Sequence, residues 1–278
     1  MTSLCNEITK LSVLMTQKPL PTVSEIQDVL HTIETLALEL TALTNTLPVS
    51  QGFWLRNQLR RAVNTLGKSL VELFTYLQQE NSFRNQLAMT GCVLESCQAI
   101  IELPKDNLEM VIRIIAEEES QLADAAQEIE DEVKADKLAQ VEEEVDNTST
   151  WTNQDRELLP PCVGLVHTAQ ATLKRIRKVL REQGNCDTVE NIAQLDAIAE
   201  SAQLLSPAVD DFVSSIYPPM TKSVVSGCAL AVVTAVRQTL ELCQKSHWVG
   251  ENDKSWLSFL LRAVDHNNNK VQPLLSPH

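Results

Sequence analysis

Apolar residues recur every three or four positions along most of this chain, and that spacing limits the fold more than any other feature. Between residues 22 and 47 they mark one face of a long helix, formed by Ile26, Val29, Leu30, Ile33, Leu36, Leu40 and Leu43. Glycine, which favours tight turns, occurs only 7 times in 278 residues. The sequence therefore predicts an all-α protein made of two consecutive helical bundles.

Proline and capping residues indicate where the first helices begin and end. Pro19 and Pro21 separate a short first helix from the second, because proline disfavours a helical conformation in the residue before it. Thr22 and Glu25 then match a capping box, in which each side chain binds a backbone N–H group at the helix start. We therefore expect the second helix to begin directly after Thr22.

Two later proline sites are interpreted in the same way. Pro160–Pro161 is taken as a fresh helix start, and Ser206–Pro207 as the cap and first turn of a short helix that ends at Tyr217. Asp210 and Asp211 would then lie in a first turn, where negative charge offsets the helix dipole. This interpretation explains the paired carboxylates without a catalytic role.

A long acidic helix is expected near the middle of the chain. Residues 109–146 contain 14 acidic and 3 basic residues, a net charge of −11, whereas the whole chain carries −14. The apolar pattern becomes sparse beyond Lys134, and the composition after Asp146 is that of a linker. We predict an N-terminal bundle over residues 1–145 that ends in this acidic helix. A C-terminal bundle over residues 153–278 follows the short linker.

Charge, cysteine content and hydropathy argue against several classes of partner. The negative net charge repels polyanions, so direct binding of nucleic acid is disfavoured. Seven cysteines scattered through helical pattern indicate reduced thiols rather than a disulfide framework. The longest apolar stretch, Val224 to Val236, has 13 residues, whereas a membrane-spanning helix needs about 20. We expect a buried helix there and no membrane partner.

The sequence lacks the motifs that mark catalysis, cofactor binding or metal binding. No two glycines lie within six residues of each other, so a phosphate-binding glycine loop is missing. Cys92 and Cys97 come nearest to a zinc-binding pair, but a second pair at a matching distance is missing. Nothing in the sequence marks a nucleophile on a strained turn. We predict a non-enzymatic protein without cofactor or metal.

Clusters of charge are the candidate interaction surface. The acidic candidates are Glu117, Glu118, Glu119, Glu142, Glu143 and Glu144, and the basic candidates are Lys174, Arg175, Arg177, Lys178 and Arg181. Charge runs of this kind are usually solvated helix faces. The functional alternative for the basic cluster is docking of an acidic partner or of the chain's own acidic helix, and a nuclear import signal is a third interpretation.

A distinctive stretch follows Ser206. It contains Pro207, Val209, Asp210 and Asp211, and then the run Ser215-Ile216-Tyr217-Pro218-Pro219-Met220. Further matches include Pro161–Cys162, Leu165–Val166, Pro19–Leu20–Pro21, Gln51–Gly52 and Leu103–Pro104. On these residues the chain resembles the cyclin-D-binding proteins, also called Grap- and cyclin-D-interacting proteins, over nearly its whole length. We call residues 217–220 (Tyr217, Pro218, Pro219 and Met220) the signature turn.

The resemblance implies binding to D-type cyclins and to helix-loop-helix transcription factors, in the cytoplasm and nucleus. It also implies negative regulation of cell-cycle progression and transcription. Members of the family are described as helix-loop-helix-like without a basic DNA-reading region, which implies a dominant-negative mechanism. The chain departs from the family in two ways: it looks like a short or N-terminally truncated form, and its acidic linker around Asp146 is shorter than expected.

Two other classes of protein stay open on the residues alone. A scaffold or adaptor of the vinculin and alpha-catenin kind has the same helical architecture, and binding to actin without binding to a cyclin would favour it. An enzyme would need a concave site, which a single sequence does not reveal.

Overall fold

The computed structural model describes residues 1–16, 21–78, 83–142 and 151–275. Within these ranges the chain is helical and has no strand, which confirms the all-α prediction. The helices are α1 (Thr2–Leu14), α2 (Val23–Thr46), α3 (Phe53–Gln78), α4 (Phe83–Ile101), α5 (Asn107–Glu142), α6 (Asn153–Gln183), α7 (Val189–Ser215), α8 (Lys222–Gln244) and α9 (Lys254–Leu275). Two short 3₁₀ turns, Val49–Gln51 and Glu251–Asp253, precede α3 and α9.

The helices group into two compact units, Met1–Met110 and Val111–His278. The first unit contains α1 to α4 and the first turn of α5. The rest of α5 belongs to the second unit, although the sequence analysis assigned the whole acidic helix to the N-terminal bundle. The difference has a physical reason, because acidic side chains of α5 pair with arginines of α6.

In the first unit, α1 packs on α2 and α4, and α3 packs on the same two helices. The core between them is aliphatic, and its buried members are Leu4, Ile8, Leu11, Val29, Ile33, Val63, Leu66, Leu70, Leu73, Val93, Cys97 and Ile100. The predicted capping box at the start of α2 is confirmed. The Thr22 hydroxyl accepts from the Glu25 N–H at 3.3 Å, and the Thr22 N–H donates to the Glu25 carboxylate at 2.8 Å.

In the second unit, α8 packs against α6, α7 and α9. Its buried residues include Val225, Ala229, Val232, Val236 and Leu240. Fully burying an aliphatic side chain of this kind contributes about 1.5–3 kcal/mol. Among the described helices, α8 is long and apolar enough to cross a membrane. The core helix of a bundle can have the same length and composition.

Both proline interpretations were wrong, because α6 and α7 continue through their prolines. Pro160 and Pro161 lie inside α6, and Pro207 lies inside α7. A proline in a helix removes one backbone hydrogen bond, which normally breaks or bends the helix. Here the residues around each site are buried in the second unit, including Leu158, Leu159, Cys162, Leu205 and Val209. Their burial offsets the lost hydrogen bond.

Gly52 has a backbone conformation that suits glycine alone, with φ of 93° and ψ of 149°. It lies just before α3 and against the side chain of Asn107, which is 1% exposed. The Asn107 Oδ1 accepts a hydrogen bond from the Leu55 N–H at 3.3 Å, so the first residue of α5 caps an otherwise unpaired group of α3. A Cβ atom at position 52 would overlap the Asn107 side chain.

We therefore expect Gly52→Ala to lower the free energy of unfolding by about 1–3 kcal/mol, the usual cost of a strained backbone. Urea denaturation of the whole chain measures this change. Gly67→Ala is the control, because Gly67 lies inside α3 and has no neighbour within 4 Å of the position that a Cβ atom would take. That control should stabilise the protein by about 0.5–1 kcal/mol. Equal effects of the two substitutions would contradict this description of the junction.

Candidate interaction surfaces

The end of the acidic helix α5 is bound to the start of α6 by an ion pair. The Arg156 Nε and Nη2 donate to the two Asp136 carboxylate oxygens, each at 2.8 Å. The side chain of Asp136 is only 10% exposed and that of Arg156 26%. A two-bond pair of this geometry is among the stronger interactions between charged side chains. It lies beyond Lys134, where the apolar pattern is sparse, and α5 continues to Glu142.

Two of the predicted acidic residues also have partners inside the second unit. Arg177 Nε lies 2.8 Å from Glu119 Oε2, and the Glu119 side chain is 12% exposed. The Ser206 hydroxyl donates to the Glu118 carboxylate. The basic cluster therefore does contact the chain's own acidic helix, through Arg177, as one of the interpretations of the sequence proposed.

The remaining predicted surface residues fall into three groups. Arg175 lies 3.5 Å from buried Asp253 and over the Trp256 ring, so it stabilises the fold. The exposed members are Glu117, Lys174, Lys178 and Arg181. Glu142 is the last residue of α5, whereas Glu143 and Glu144 lie outside the described residues.

The signature turn connects three parts of the second unit. The Trp151 indole N–H donates to the Ile216 carbonyl at 2.7 Å, and the Trp151 ring stacks on Tyr217. The Tyr217 hydroxyl donates to Glu128 of α5 at 3.2 Å. Burial and the nearby Glu128 carboxylate raise the pKa of Tyr217 to about 12, so the phenol stays protonated as a donor. These contacts give the turn a structural role.

We expect Asp136→Asn to lower the free energy of unfolding by about 1–3 kcal/mol at pH 7, because Arg156 then loses its charged partner. The hydrogen bonds from Arg156 hold the pKa of Asp136 below its ordinary 3.8. Their stabilisation is complete above pH 3.8 and is lost as the pH falls through the lowered value, so the difference between variant and wild type should shrink below pH 3.8.

Urea denaturation as a function of pH measures this difference. Asp131→Asn is the matched control, since Asp131 lies on the same helix but is exposed, as are its partners Lys134 and Gln127. It should have a much smaller effect. If Asp136→Asn and Asp131→Asn were equally stable, the Asp136–Arg156 ion pair would not stabilise the fold as described.

Asp210 and Asp211 lie about six turns from the start of α7, not in its first turn, so their assignment to a helix start was wrong. Partial burial and the carboxylates of Asp211 and Glu128 raise the pKa of Asp210. A raised carboxyl pKa means that the negative charge at this position destabilises the fold.

We therefore predict that Asp210→Asn raises the melting temperature at pH 7. The gain should disappear below pH 3.8, where both the folded and unfolded chains are protonated. Glu190→Gln provides the comparison, because Glu190 does lie in the first turn of α7 and its loss should lower the melting temperature. A lower melting temperature for Asp210→Asn would contradict the destabilising effect of this charge. Differential scanning calorimetry distinguishes the two.

The first unit contains an apolar groove between α2 and α3, which we call the α2–α3 groove. The two helices run antiparallel because only a short connection joins them. The groove encloses about 670 Å³. It is lined by Leu11, Met15, Ile26, Leu30, Ile33, Glu34, Ala37, Leu38, Thr41, Gly67, Leu70, Val71, Phe74, Leu77 and Gln78.

The floor and the rim of this groove differ in exposure. Leu11, Ile33 and Leu70 form the floor and are at most 5% exposed, whereas Leu38 and Val71 on the two walls are 63% and 64% exposed. The floor thus belongs to the core, and the rim presents large apolar side chains to solvent. Exposed apolar residues gathered around one concavity are typical of an interaction site.

The sequence analysis missed this groove. Periodicity assigned the apolar stripe of α2 to the core, but only Val29, Ile33 and Thr44 of its 24 residues are buried. The sequence did contain a signal for the groove. Leu38 and Val71 widen the apolar stripes of α2 and α3, so that each stripe covers more of the helix surface than one core can bury.

Three of the seven cysteines, Cys97, Cys162 and Cys243, are buried. All seven are free thiols. Burial raises the pKa of Cys162 to about 12, which suppresses the nucleophilic thiolate. Over the four ranges that the structure describes, no group of three or more His, Cys, Asp or Glu side chains is placed to hold a metal ion.

Comparison with known families matches both units. The model "Grap2 and cyclin-D-interacting, N-terminal" matches residues 1–136, and "Grap2 and cyclin-D-interacting, C-terminal" matches residues 130–241. The chain belongs to the Grap2 and cyclin-D-interacting family. The two matches overlap within α5, the helix that the two compact units share.

Several relatives in this family carry the name of one binding partner. The Cyclin-D1-binding protein 1 homolog of Xenopus laevis is 32% identical over 96% of this chain and 84% of its own length. The Danio rerio homolog is 29% identical over 97% and 82%. Human cyclin-D1-binding protein 1 is 28% identical over 96% and 80%.

Proposed function

We propose that this protein binds D-type cyclins and helix-loop-helix transcription factors, and that it restrains cell-cycle progression and transcription without catalysing a reaction. The observation that carries the proposal is the similarity of 96% of the chain to proteins named for binding cyclin D1. The family name refers to an interaction and not to a reaction, which supports non-enzymatic action.

The α2–α3 groove is the proposed docking surface. An apolar helix face of the partner would pack on Leu38 and Val71, and so be withheld from the partner's own dimerisation. A few buried anchors would set the affinity. The exposed charges Glu117, Lys174 and Lys178 would contribute long-range steering, which salt weakens over about 8 Å at physiological ionic strength.

Action in the cytoplasm and nucleus is part of the proposal. Seven free cysteines are compatible with a reducing compartment, where structural disulfides are rare. The net charge of −14 supports partners that are proteins and not nucleic acids or anionic membranes.

Calorimetric titration of the purified chain with a D-type cyclin tests the proposal. We expect binding, and we expect Leu38→Asp to weaken it at least tenfold, about 1.4 kcal/mol, because a charge replaces an exposed apolar contact. Leu230→Asp is the control, since Leu230 is similarly exposed, at 58%, but lies on α8 of the second unit. That variant should bind like the wild type.

Three outcomes would count against this account. Absence of binding to any D-type cyclin, together with binding to actin, would favour the helical scaffold. If Leu38→Asp and Leu230→Asp lost the same affinity for the cyclin, the cyclin would contact a surface other than the α2–α3 groove. Binding that vanishes at high salt but survives Leu38→Asp would move the site to the exposed charges.

A further inference from the structure

We propose that the α2–α3 groove accepts one amphipathic α-helix of about four turns, with an apolar face and Lys or Arg residues along its flanks. This inference rests on the proposed function for the choice of groove, and it adds the chemical class of the occupant. It applies to whichever partner supplies the helix.

The length of the groove sets the length of the occupant. The lining residues of α2 extend from Ile26 to Thr41, and those of α3 from Gly67 to Gln78. At a rise of 1.5 Å per residue, fifteen steps along α2 correspond to roughly 22 Å, or about four helical turns. A helix of this length places apolar anchors at positions i, i+3 or i+4, and i+7 on one face.

The chemistry of the lining favours a helix over an extended peptide. Polar side chains among the lining residues are few, namely Glu34, Thr41 and Gln78. The backbone of a helix has its hydrogen bonds satisfied internally, whereas an extended segment would bring unpaired N–H and C=O groups against apolar walls. The cost of those unpaired groups excludes strand-like docking.

The charge of the groove determines which charged residues can flank the apolar face of the docking helix. Glu34 is the one charged side chain among the lining residues, and none of them is Lys or Arg. Glu34 itself lines the groove, between Leu30 and Leu38. Basic flanks therefore complement this surface, and acidic flanks are repelled.

The same charge argues against two other occupants. A second copy of this chain presents the same groove, in which Glu34 has no Lys or Arg among the lining residues, so docking of groove on groove brings like charges together. An anionic membrane surface is repelled in the same way. A basic amphipathic helix from another protein satisfies both the apolar lining and the charge.

The probe for the experiment is a fluorescent 16-residue peptide with a Leu stripe at helical spacing and Lys on both flanks. Two control peptides accompany it: one has Glu in place of every Lys, and the other has the same composition without the stripe. Fluorescence anisotropy measures their binding to the full chain. We expect the Lys peptide to bind, and both control peptides to bind at least tenfold more weakly.

Gly67→Leu is the variant that fills the groove. A Cβ atom at position 67 would have no neighbour within 4 Å, and replacing glycine inside α3 favours the helix, so the variant should fold. Gly91→Leu is its matched control, because Gly91 is equally free of neighbours and lies on α4 outside the groove. We expect at least a tenfold loss of Lys-peptide binding for Gly67→Leu and none for Gly91→Leu.

A second pair of variants tests the charge. Glu34→Lys should weaken binding of the Lys peptide about two- to fivefold, as expected for an exposed charge pair. Glu95→Lys changes the net charge equally on exposed α4 surface and should leave binding unchanged. If Glu95→Lys weakened binding as much, attraction would be general and not local to the groove.

The inference would be overturned if Gly67→Leu bound the Lys peptide as well as the wild type, or if the Glu peptide bound equally well. It would also be overturned if sedimentation showed a dimer that Gly67→Leu dissociates, since the occupant would then be a second copy. Binding of a D-type cyclin without the Lys peptide would contradict this inference alone. Binding of the Lys peptide without a cyclin would contradict the proposed function alone.

Discussion

In the second unit, acidic helix α5 is bound to α6 by ion pairs with two arginines. Asp136 and Glu119 are 10% and 12% exposed, and carboxylates this shielded from water persist only beside positive partners such as Arg156 and Arg177. Like charges one turn apart oppose helix formation, so these pairs also help a helix as acidic as α5 to continue to Glu142. The negative charges of Asp136 and Glu119 are thus part of the fold.

Apolar packing holds the first unit together, and its helix α2 buries only part of its apolar surface. Helix α3 buries five residues of its stripe, whereas α2 buries Val29, Ile33 and Thr44 and leaves Leu38 exposed. The cost of exposing apolar surface is the source of the binding energy that a docking helix would gain. On the proposed function, the exposed rim of the groove would serve binding, whereas its floor serves the core.

Rules that use only neighbouring residues predicted the all-α class and the start of α2 correctly, but they failed at the prolines of α6 and α7. The period of the apolar residues indicated the helices, and the Thr22–Glu25 capping box depends only on neighbours in sequence. Pro207 and Pro160 were misjudged because distant packing compensates for a missing hydrogen bond, and sequence spacing does not report that packing. The groove was missed for a related reason: periodicity shows which side chains are apolar but not how many of them one core covers. The pairing of Arg177 with Glu119 was foreseen only as one alternative.

Hydrogen exchange of the full chain, with and without a D-type cyclin, tests the central claim most directly, because it locates contact without altering a residue. The account predicts slower exchange in residues 26–41 and 67–78, and unchanged exchange in residues 113–138 of α5. Protection confined to α5 and to the basic residues of α6 would contradict it, and would return the partner surface to the charged clusters.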